Sequence, residues 1–288
     1  MGPRTDECGT PGRPGSRTRA RVVGLGGRRV TIRYRVVDHV ATITLDRPER
    51  KNSFTPAMVQ DWVACLRDAS EDEDVRVVVL TGAPGAFCSG IDLSELAGTA
   101  STPLATRRLL TDRIHAVARA LEDLACPTIA AINGVAVGAG LDMALLCDMR
   151  LAARSARMSE GYIRVGLVPG DGGAWLLPRL VGTAKAMELL LTGDAVDGEE
   201  AHALGLVNDV VDDDELLDRT YELAARIAAA PPVQVGIIRR LVRQAELVDL
   251  RTHLDAVASH AGLVSSLEDY AEAAEAFRER RPGSYVGR

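Results

Sequence analysis

The chain has 288 residues, of which 47% are apolar, and its 34 basic residues are opposed by 40 acidic ones. Residues 1–35 hold nine arginines and two acidic residues, a net charge of +7, so residues 36–288 carry −13. An acidic body of this kind excludes a nucleic-acid-binding domain, which would present a basic face.

Cysteine and histidine usage predicts neither disulfides nor a metal site. The five cysteines are odd in number and lack CxxC spacing, and without a signal peptide we expect free thiols in a reducing cytoplasm. The histidines show no metal-ligand spacing. No uncharged apolar run approaches the roughly 18 residues of a membrane-spanning helix, so we expect no membrane segment.

The first predicted elements are an arm and a hairpin. Residues 1–28 are rich in Gly, Pro, Arg and Thr, and we expect a disordered basic arm there. β-branched and polar residues alternate over Val30–Val36 and Val40–Leu45. This pattern predicts a hairpin that turns at Asp38 and His39.

Helices and strands then alternate. Helical spacing predicts a helix over Thr55–Ser70, and a nearly all-apolar run predicts a buried strand over Val75–Leu80. A polar loop at Gly98–Pro103 leads to a predicted helix over Ala105–Ala125.

The middle of the chain continues this pattern. A buried strand is predicted over Thr128–Ile132, a glycine-rich turn over Asn133–Gly140, a helix over Gly140–Cys147 and a strand over Met149–Ala153. Strands that alternate with helices indicate an α/β core. The last quarter of the chain is predicted to be all-helical, over Leu216–Ala230, Val233–Leu247, Leu250–Leu263 and Leu267–Arg280.

A first candidate site is the segment Ala-Phe-Cys-Ser-Gly-Ile-Asp-Leu at residues 86–93, shortly after the strand over Val75–Leu80. The small residues Ser89 and Gly90 let a ligand approach the backbone closely. The segment also fits a plain strand-to-helix loop capped by Asp92, and both interpretations stay open.

A second candidate site is residues 133–142, where a buried strand runs into glycines and then opens a helix. The free N–H groups of a helix start point outward, and the helix dipole favours negative charge there, which suits an oxyanion. Gly138 and Gly140 could instead open a dinucleotide fingerprint, but Met143 stands at the third glycine position, and no acidic residue follows a second strand at the required distance.

Together, these two segments resemble the crotonase (enoyl-CoA hydratase/isomerase) superfamily. Three further motifs strengthen the resemblance: Leu-Asp-Arg-Pro-Glu-Arg-Lys-Asn-Ser at residues 45–53, Val-Val-Val-Leu-Thr-Gly at 77–82 and Gly-Leu-Val-Pro at 166–169. The resemblance covers about residues 29–288 and includes the C-terminal Phe-Arg-Glu-Arg-Arg-Pro at residues 277–282.

The resemblance implies a backbone oxyanion hole for the carbonyl of a coenzyme A thioester. The two N–H donors fall on Ile91 and Ala139, and the first of two acidic catalytic residues falls on Asp142. The position of the second acid holds Tyr162, four residues before Gly166, which puts the two-acid scheme for adding water in doubt.

Three residues are candidates for the missing role. Glu160 would share a strand face with Tyr162 if that segment is extended, although an exposed carboxylate is the alternative. Asp171 lies one residue past a catalytic aspartate position of some relatives, and could instead cap the following helix. Tyr162 itself could orient water or donate to the acyl group, or simply form a pocket wall.

A hydrolase or dehalogenase-like enzyme on the same scaffold is the alternative function. His115 stands at a position that the family's aromatic dehalogenases use for a base, whereas Gly170 stands at their nucleophile position. A packed histidine on a helix explains His115 equally well.

We therefore expect a crotonase-like spiral of ββα units over residues 29–215 and a helical trimerisation segment over residues 216–288. The resemblance implies a homotrimer or dimer of trimers, an acyl-CoA substrate of fatty acid metabolism, and no cofactor other than the coenzyme A of that substrate. We expect the acyl chain to enter past Leu93, Leu96 and Trp175. The predicted coenzyme A contacts are Arg50, Lys51, Asn52, Ser53, Ser89, Gly90, Asp92, Leu93 and Gly138.

Overall fold

A computed structural model describes residues 18–23, 31–95 and 102–288. Leu96, most of the predicted Gly98–Pro103 loop and most of the predicted N-terminal arm lie outside the described residues. No helix within the described part of the chain is long and apolar enough to cross a membrane.

The strands and helices alternate first and give way to helices at the C-terminus. The strands are β1 (Thr18–Val23), β2 (Ile32–Val37), β3 (Val40–Leu45), β4 (Val77–Gly82), β5 (Thr128–Ile132), β6 (Val135–Val137), β7 (Met149–Ala153), β8 (Arg157–Ser159), β9 (Ala195–Asp197) and β10 (Asp209–Val211). The helices are α1 (Pro56–Glu71), α2 (Pro103–Leu109), α3 (His115–Asp123), α4 (Ala139–Leu145), α5 (Gly173–Val181), α6 (Thr183–Thr192), α7 (Gly198–Ala203), α8 (Leu216–Ala228), α9 (Pro232–Gln244), α10 (Leu250–Val264) and α11 (Glu268–Glu279).

Two sheets organise the core. The larger has the order β1-β2-β3-β4-β5-β7-β10, and the smaller has the order β6-β8-β9. In the larger sheet β1, β2 and β3 pair antiparallel, whereas all later neighbours are parallel. The carboxyl ends of β4 and β5 therefore lie at the same edge, the place where open parallel sheets bind ligands.

Local sequence signals explain the first elements. Asp38 and His39 adopt φ of +47° and +69°, as the tight turn of a twisted hairpin requires, and this hairpin is confirmed. Helix α1 begins at Pro56 because the Thr55 hydroxyl accepts the N–H of Met58 at 3.2 Å. Every residue of β4 is buried, as its apolar run predicts.

Two predictions are corrected here. Residues Thr18–Val23 form β1 rather than disordered chain, because the free edge of β2 offers a continuous row of backbone partners. The predicted helix over Ala105–Ala125 is interrupted by a turn of π-helix over Leu110–Ile114. The extra residue of such a turn changes the direction in which the following side chain, His115, projects.

The C-terminal helices are confirmed, and α9 is bound to the core through a partly buried carboxylate. The Asp148 carboxylate accepts bonds from Arg239 at 2.8 Å and Arg243 at 3.0 Å, both on α9, and from the Thr128 N–H at 2.8 Å. These charges lower the pKa of Asp148 against the opposing effect of burial.

Candidate active site

Two loops that leave neighbouring strands are joined into one surface. The N–H of Cys88 donates to the carbonyl of Val135 at 3.0 Å, and the N–H of Val137 donates to the carbonyl of Cys88 at 3.0 Å. Gly140 packs so closely on this carbonyl that a Cβ would overlap it. The two candidate segments of the sequence therefore meet in the fold.

Two backbone donors are left free where the loops meet. Among the described residues, the N–H groups of Ile91 and Ala139 have no acceptor in the protein. Gly90 lies between them, since a Cβ on it would be 3.6 Å from the nitrogen of Ala139. Ala139 is the first residue of α4, so the positive end of the helix dipole adds to its N–H. Such a pair can bind negative charge that develops on a carbonyl oxygen.

Asp142 lies in the first turn of the same helix and has no exposed surface. Its Oδ2 accepts the Tyr162 hydroxyl at 2.5 Å and, at 3.2 Å, the N–H of Asp171. Burial raises the pKa of the Asp142 carboxyl well above its usual range, whereas the Tyr162 bond favours the charged form and opposes that rise. Asp142 is thus a carboxylate whose affinity for protons is adjusted toward neutral pH.

Tyr162 connects Asp142 to a second carboxyl group. The residue lies in a 3-10 helix over Gly161–Val165, and its hydroxyl is 3.4 Å from Oδ2 of Asp171. The charge of Asp142 adds to burial in raising the pKa of this hydroxyl, which therefore stays protonated. Its ring packs 3.5 Å from the Cβ position of Gly138, beside the start of α4.

Asp171 is a site carboxyl and not a helix cap. Helix α5 begins at Gly173 and has Gly172 as its cap residue, so the predicted capping role of Asp171 is wrong. Burial raises the pKa of Asp171 to about 6, and His115 opposes the rise. Nε2 of His115 lies 4.0 Å from Oδ1 of Asp171 and is 2.7 Å from the carbonyl of Gly170.

Glu160 is buried beside Asp142 instead of being exposed. Its backbone has φ −79° and ψ 35° at the entrance to the 3-10 helix, so the expected strand face shared with Tyr162 does not form. Only 2% of Glu160 is exposed, and neither carboxyl oxygen has a hydrogen-bond partner among the described residues. Burial, together with the charge of Asp142, raises the pKa of its carboxyl group.

Comparison with known proteins agrees with this arrangement. A family model described as enoyl-CoA hydratase/isomerase matches residues 36–288. The chain belongs to this family. It is 38% identical over 250 residues to the 1,2-epoxyphenylacetyl-CoA isomerase of Escherichia coli, covering 86% of this chain and 95% of that protein.

Further relatives extend the likeness. The 2,3-dehydroadipyl-CoA hydratase of Escherichia coli is 34% identical over 251 residues, covering 86% of this chain and 96% of that one. The crystal structure of an enoyl-CoA hydratase from Bacillus anthracis superposes with a TM-score of 0.86 at 35% identity, covering 90% of this chain and all of that one. The crotonase resemblance and the crotonase fold expected from the sequence are thereby confirmed.

The predicted coenzyme A segment contains both structural and exposed residues. Asn52 is fully buried, and its amide group bonds the backbone of Arg47 at 2.9 Å and of Ala86 at 2.7 Å, so it offers no surface to a ligand. Arg50 and Lys51, by contrast, are exposed cations.

Arg47 has a structural role that sequence reasoning missed. Its guanidinium donates to the carboxylate of Asp92 at 2.7 Å and to the carbonyl of Ser53 at 3.2 Å. The Asp92 carboxylate also accepts the hydroxyl of Ser94 at 2.6 Å and the N–H of Ser94 at 3.1 Å. The Ser94 hydroxyl, followed by Arg47, lowers the pKa of Asp92 to about 2. Asp92 and Ser53 therefore hold the shape of the loop, and the coenzyme A contacts expected at both residues stay predictions. The only available signal was the place of Arg47 inside the family motif.

The remaining predicted contacts differ in exposure and in their partners. The Ser89 hydroxyl donates to the carbonyl of Arg50 at 3.2 Å, which joins the coenzyme A segment to the oxyanion loop. Leu93 and Trp175 are 45% and 51% exposed, and the acyl entrance expected beside them stays a prediction. Gly90 and Gly138 have positive φ, and each lies against the free amide region described above.

The Cys88 thiol is buried, and the described residues hold no cluster suited to a metal ion. Cys88 is fully buried, and burial raises the pKa of its thiol to about 12, so a reactive thiolate does not form. Within the described part of the chain, no group of three or more His, Cys, Asp or Glu residues is arranged to hold a metal ion.

Proposed function

We propose that the protein is an enoyl-CoA isomerase, which shifts the carbon–carbon double bond of an enoyl-CoA thioester. The observation that carries this proposal is the Tyr162 hydroxyl, 2.5 Å from Asp142 and 3.4 Å from Asp171. The hydroxyl fills the space between the two carboxyl groups, which is the space that a hydratase needs for its water.

In this scheme the thioester carbonyl binds at the oxyanion hole. Its oxygen accepts the free N–H groups of Ile91 and Ala139, whose direction is fixed by the joined loops and by the start of α4. Each such donor contributes about 3–4 kcal/mol to the stability of the enolate in a site that excludes water. The carbon next to the carbonyl therefore becomes acidic enough to exchange a proton.

Asp142 moves that proton. Oδ2 accepts a short bond from Tyr162 and a longer, weaker bond from the Asp171 N–H, and the weaker bond is the one that a substrate proton displaces. Burial raises the pKa of Asp142 and makes it a better base than an exposed aspartate. A single carboxylate can remove a proton from one carbon of the enoyl chain and return it to another, which completes a double-bond shift.

Hydration is the second candidate, and the relatives favour it because several are named hydratases. Asp142 and Asp171 would then act as the acid and base, with water in place of the Tyr162 hydroxyl. Hydrolase or dehalogenase chemistry has less support. Gly170 supplies no nucleophile, and Nε2 of His115 already bonds the Gly170 carbonyl at 2.7 Å.

The setting of the enzyme is part of the proposal. We place the coenzyme A phosphates near the exposed Arg50 and Lys51, because cations at this loop can bind them against the net acidic charge of the chain. Coenzyme A enters with the substrate, and no other cofactor takes part. The buried thiols of Cys65, Cys88 and Cys147 suit a reducing cytoplasm, and acyl-CoA substrates of fatty acid metabolism suit the site.

Exposed apolar side chains on the last helices support a homotrimer or a dimer of trimers. Ile238, Val242, Leu254 and Phe277 are each more than half exposed, an arrangement that a partner subunit would cover. Light scattering should give three or six times the chain mass of 30.7 kDa, and a stable monomer would contradict the trimer.

One experiment tests the reaction. The protein is incubated with a 2-enoyl-CoA and a 3-enoyl-CoA in deuterated water, and the products are identified by mass spectrometry. Interconversion of the two without added water supports the isomerase, gain of water supports the hydratase, and free acid with coenzyme A supports the hydrolase. The Asp142→Asn variant is the control and should be inactive in each case.

A further inference from the structure

Four carboxyl oxygens of the site lack hydrogen-bond partners among the described residues. They are Oδ1 of Asp171, which lies 4.0 Å from Nε2 of His115, and a group of three formed by Oδ1 of Asp142 and both oxygens of Glu160. Buried polar atoms in native proteins nearly always have a partner, so these three call for an explanation. None of the steps proposed above uses Glu160.

The three oxygens converge on one point of the fold. A Cβ added to Gly173 would lie 2.6 and 2.7 Å from the two oxygens of Glu160 and would overlap Oδ1 of Asp142. Gly173 is itself buried at the start of α5, so the lack of a side chain there makes room for both carboxyl groups.

Two negative charges cannot coexist in this space. The charged neighbours that act on Glu160 are Asp142 and Asp171, and both are acidic. His115 is not among these neighbours, and its Nε2 lies 4.0 Å from Oδ1 of Asp171. Tyr162 faces Oδ2 of Asp142 and not Glu160. Two buried carboxyl groups without a cation between them share a proton, because the second ionisation would add an uncompensated buried charge.

We propose that Glu160 stays a neutral carboxylic acid in the working enzyme and donates its O–H to Oδ1 of Asp142, as a positioning residue for that base. The role of Glu160 in positioning Asp142 rests on the proposed function, whereas the protonation of Glu160 does not. One proton then supplies a partner for two of the three unpaired oxygens. Asp142 has a donor on each oxygen, Glu160 on Oδ1 and Tyr162 on Oδ2, which fixes its plane and keeps it ionised.

Infrared spectroscopy of the resting protein tests the protonation without any substrate. Protein labelled with carbon-13 in its glutamate carboxyl groups is compared with unlabelled protein, as wild type, as Glu160→Gln and as Glu122→Gln. Glu122 is an exposed residue of α3 and serves as the matched control. We expect a carbonyl band of a protonated glutamic acid at neutral pH that shifts with the label, disappears in Glu160→Gln and persists in Glu122→Gln. Absence of the band from wild type at neutral pH overturns the proposal, and so does its persistence in Glu160→Gln.

The activity of two variants tests the positioning. Glu160→Gln keeps a neutral hydrogen-bond donor, so kcat for the reaction found above should stay within about threefold of wild type. Glu160→Leu has no donor, and kcat should fall at least about tenfold with KM little changed, as expected when a bond to a charged group is lost. Equal kcat values for the two variants contradict the positioning role. If Glu160→Leu does not fold, Glu160→Met, which also lacks a donor and is closer in shape to Glu, takes its place in the comparison with Glu160→Gln. If no enoyl-CoA reacts, the proposed function fails, and the infrared result stands separately.

Discussion

The hydroxyl of Tyr162 makes the shortest bond to the proposed base, and its removal has a calculable effect. In Tyr162→Phe, Oδ2 of Asp142 loses the donor that lies 2.5 Å away and keeps only the long bond from the Asp171 N–H. A bond to a charged group contributes about 1.5–3 kcal/mol. Because this bond favours the ionised form, its loss raises the pKa of Asp142 further, by about 1 to 2 pH units at 1.36 kcal/mol per unit.

The expected result is a displaced pH profile. Asp142 acts as a base and must be ionised, so the acid limb of the kcat profile should move to higher pH by about 1 to 2 units. At neutral pH the variant should be about 10 to 100 times slower, and it should recover part of this loss at alkaline pH. The assay is steady-state kinetics over the full pH range with the enoyl-CoA that the wild type converts. An unchanged acid limb, or a uniform loss at every pH, would refute the reasoning.

Three further predictions concern stability, measured by urea denaturation. Gly173→Ala forces a Cβ into the oxygens of Asp142 and Glu160 and should lower the free energy of unfolding by about 1–3 kcal/mol. The control Gly262→Ala, with nothing within 4 Å of its Cβ, should be neutral or stabilising. An unchanged free energy of unfolding in Gly173→Ala would contradict the close packing around Gly173. The pKa of Glu160 is raised to about 10 in the folded protein, so this residue makes the free energy of unfolding decline as the pH rises from about 4 toward 10. Glu160→Gln should therefore flatten the decline between about pH 6 and pH 9. Identical slopes for the wild type and the variant would contradict the raised pKa. Arg239→Met leaves Asp148 with one fewer partner and should cost about 3 kcal/mol, and a loss below about 1 kcal/mol would show that the pair does not anchor α9.

The elements that the sequence predicts well are those with strong local signals. The all-apolar run at β4, the hairpin at Asp38 and His39, and the helical spacing of Thr55–Ser70 depend on neighbours within a few residues, and the structure has all three elements. The oxyanion loops were found because a free helix start after a glycine-rich turn is also a local property. Their joining through Cys88 is not local, and only the family resemblance predicted it.

The sequence identifies Asp142, Glu160 and Asp171 as candidate site residues but does not predict how they are arranged. Glu160 and Tyr162 were expected on one strand face, yet the 3-10 helix after β8 directs Tyr162 onto Asp142, 20 residues away in the chain. The burial of Glu160 depends on the missing side chain of Gly173, and no pattern in either segment indicates that contact. Burial of a carboxyl group contradicts its usual preference for solvent, so composition predicts the wrong environment.

Backbone pairing and helix irregularity account for the other differences. β1 forms against an exposed strand edge, a partner that its own composition does not indicate. The π-turn at Leu110–Ile114 inserts a residue into a segment whose apolar spacing predicts an unbroken helix. It directs His115 toward the loop that holds Asp171, so a tertiary contact overrides the local periodicity.

Enolate formation at the oxyanion hole is the central claim, and deuterium exchange into a saturated acyl-CoA measures it most directly. Butyryl-CoA has no double bond to hydrate or shift, so exchange of its α-hydrogens in deuterated water reports only polarisation by the Ile91 and Ala139 amides and proton removal by Asp142. We expect steady exchange with the wild-type protein and exchange at least about 100-fold slower with Asp142→Asn. No exchange by wild-type protein that binds butyryl-CoA, or equal exchange by the variant, would contradict it.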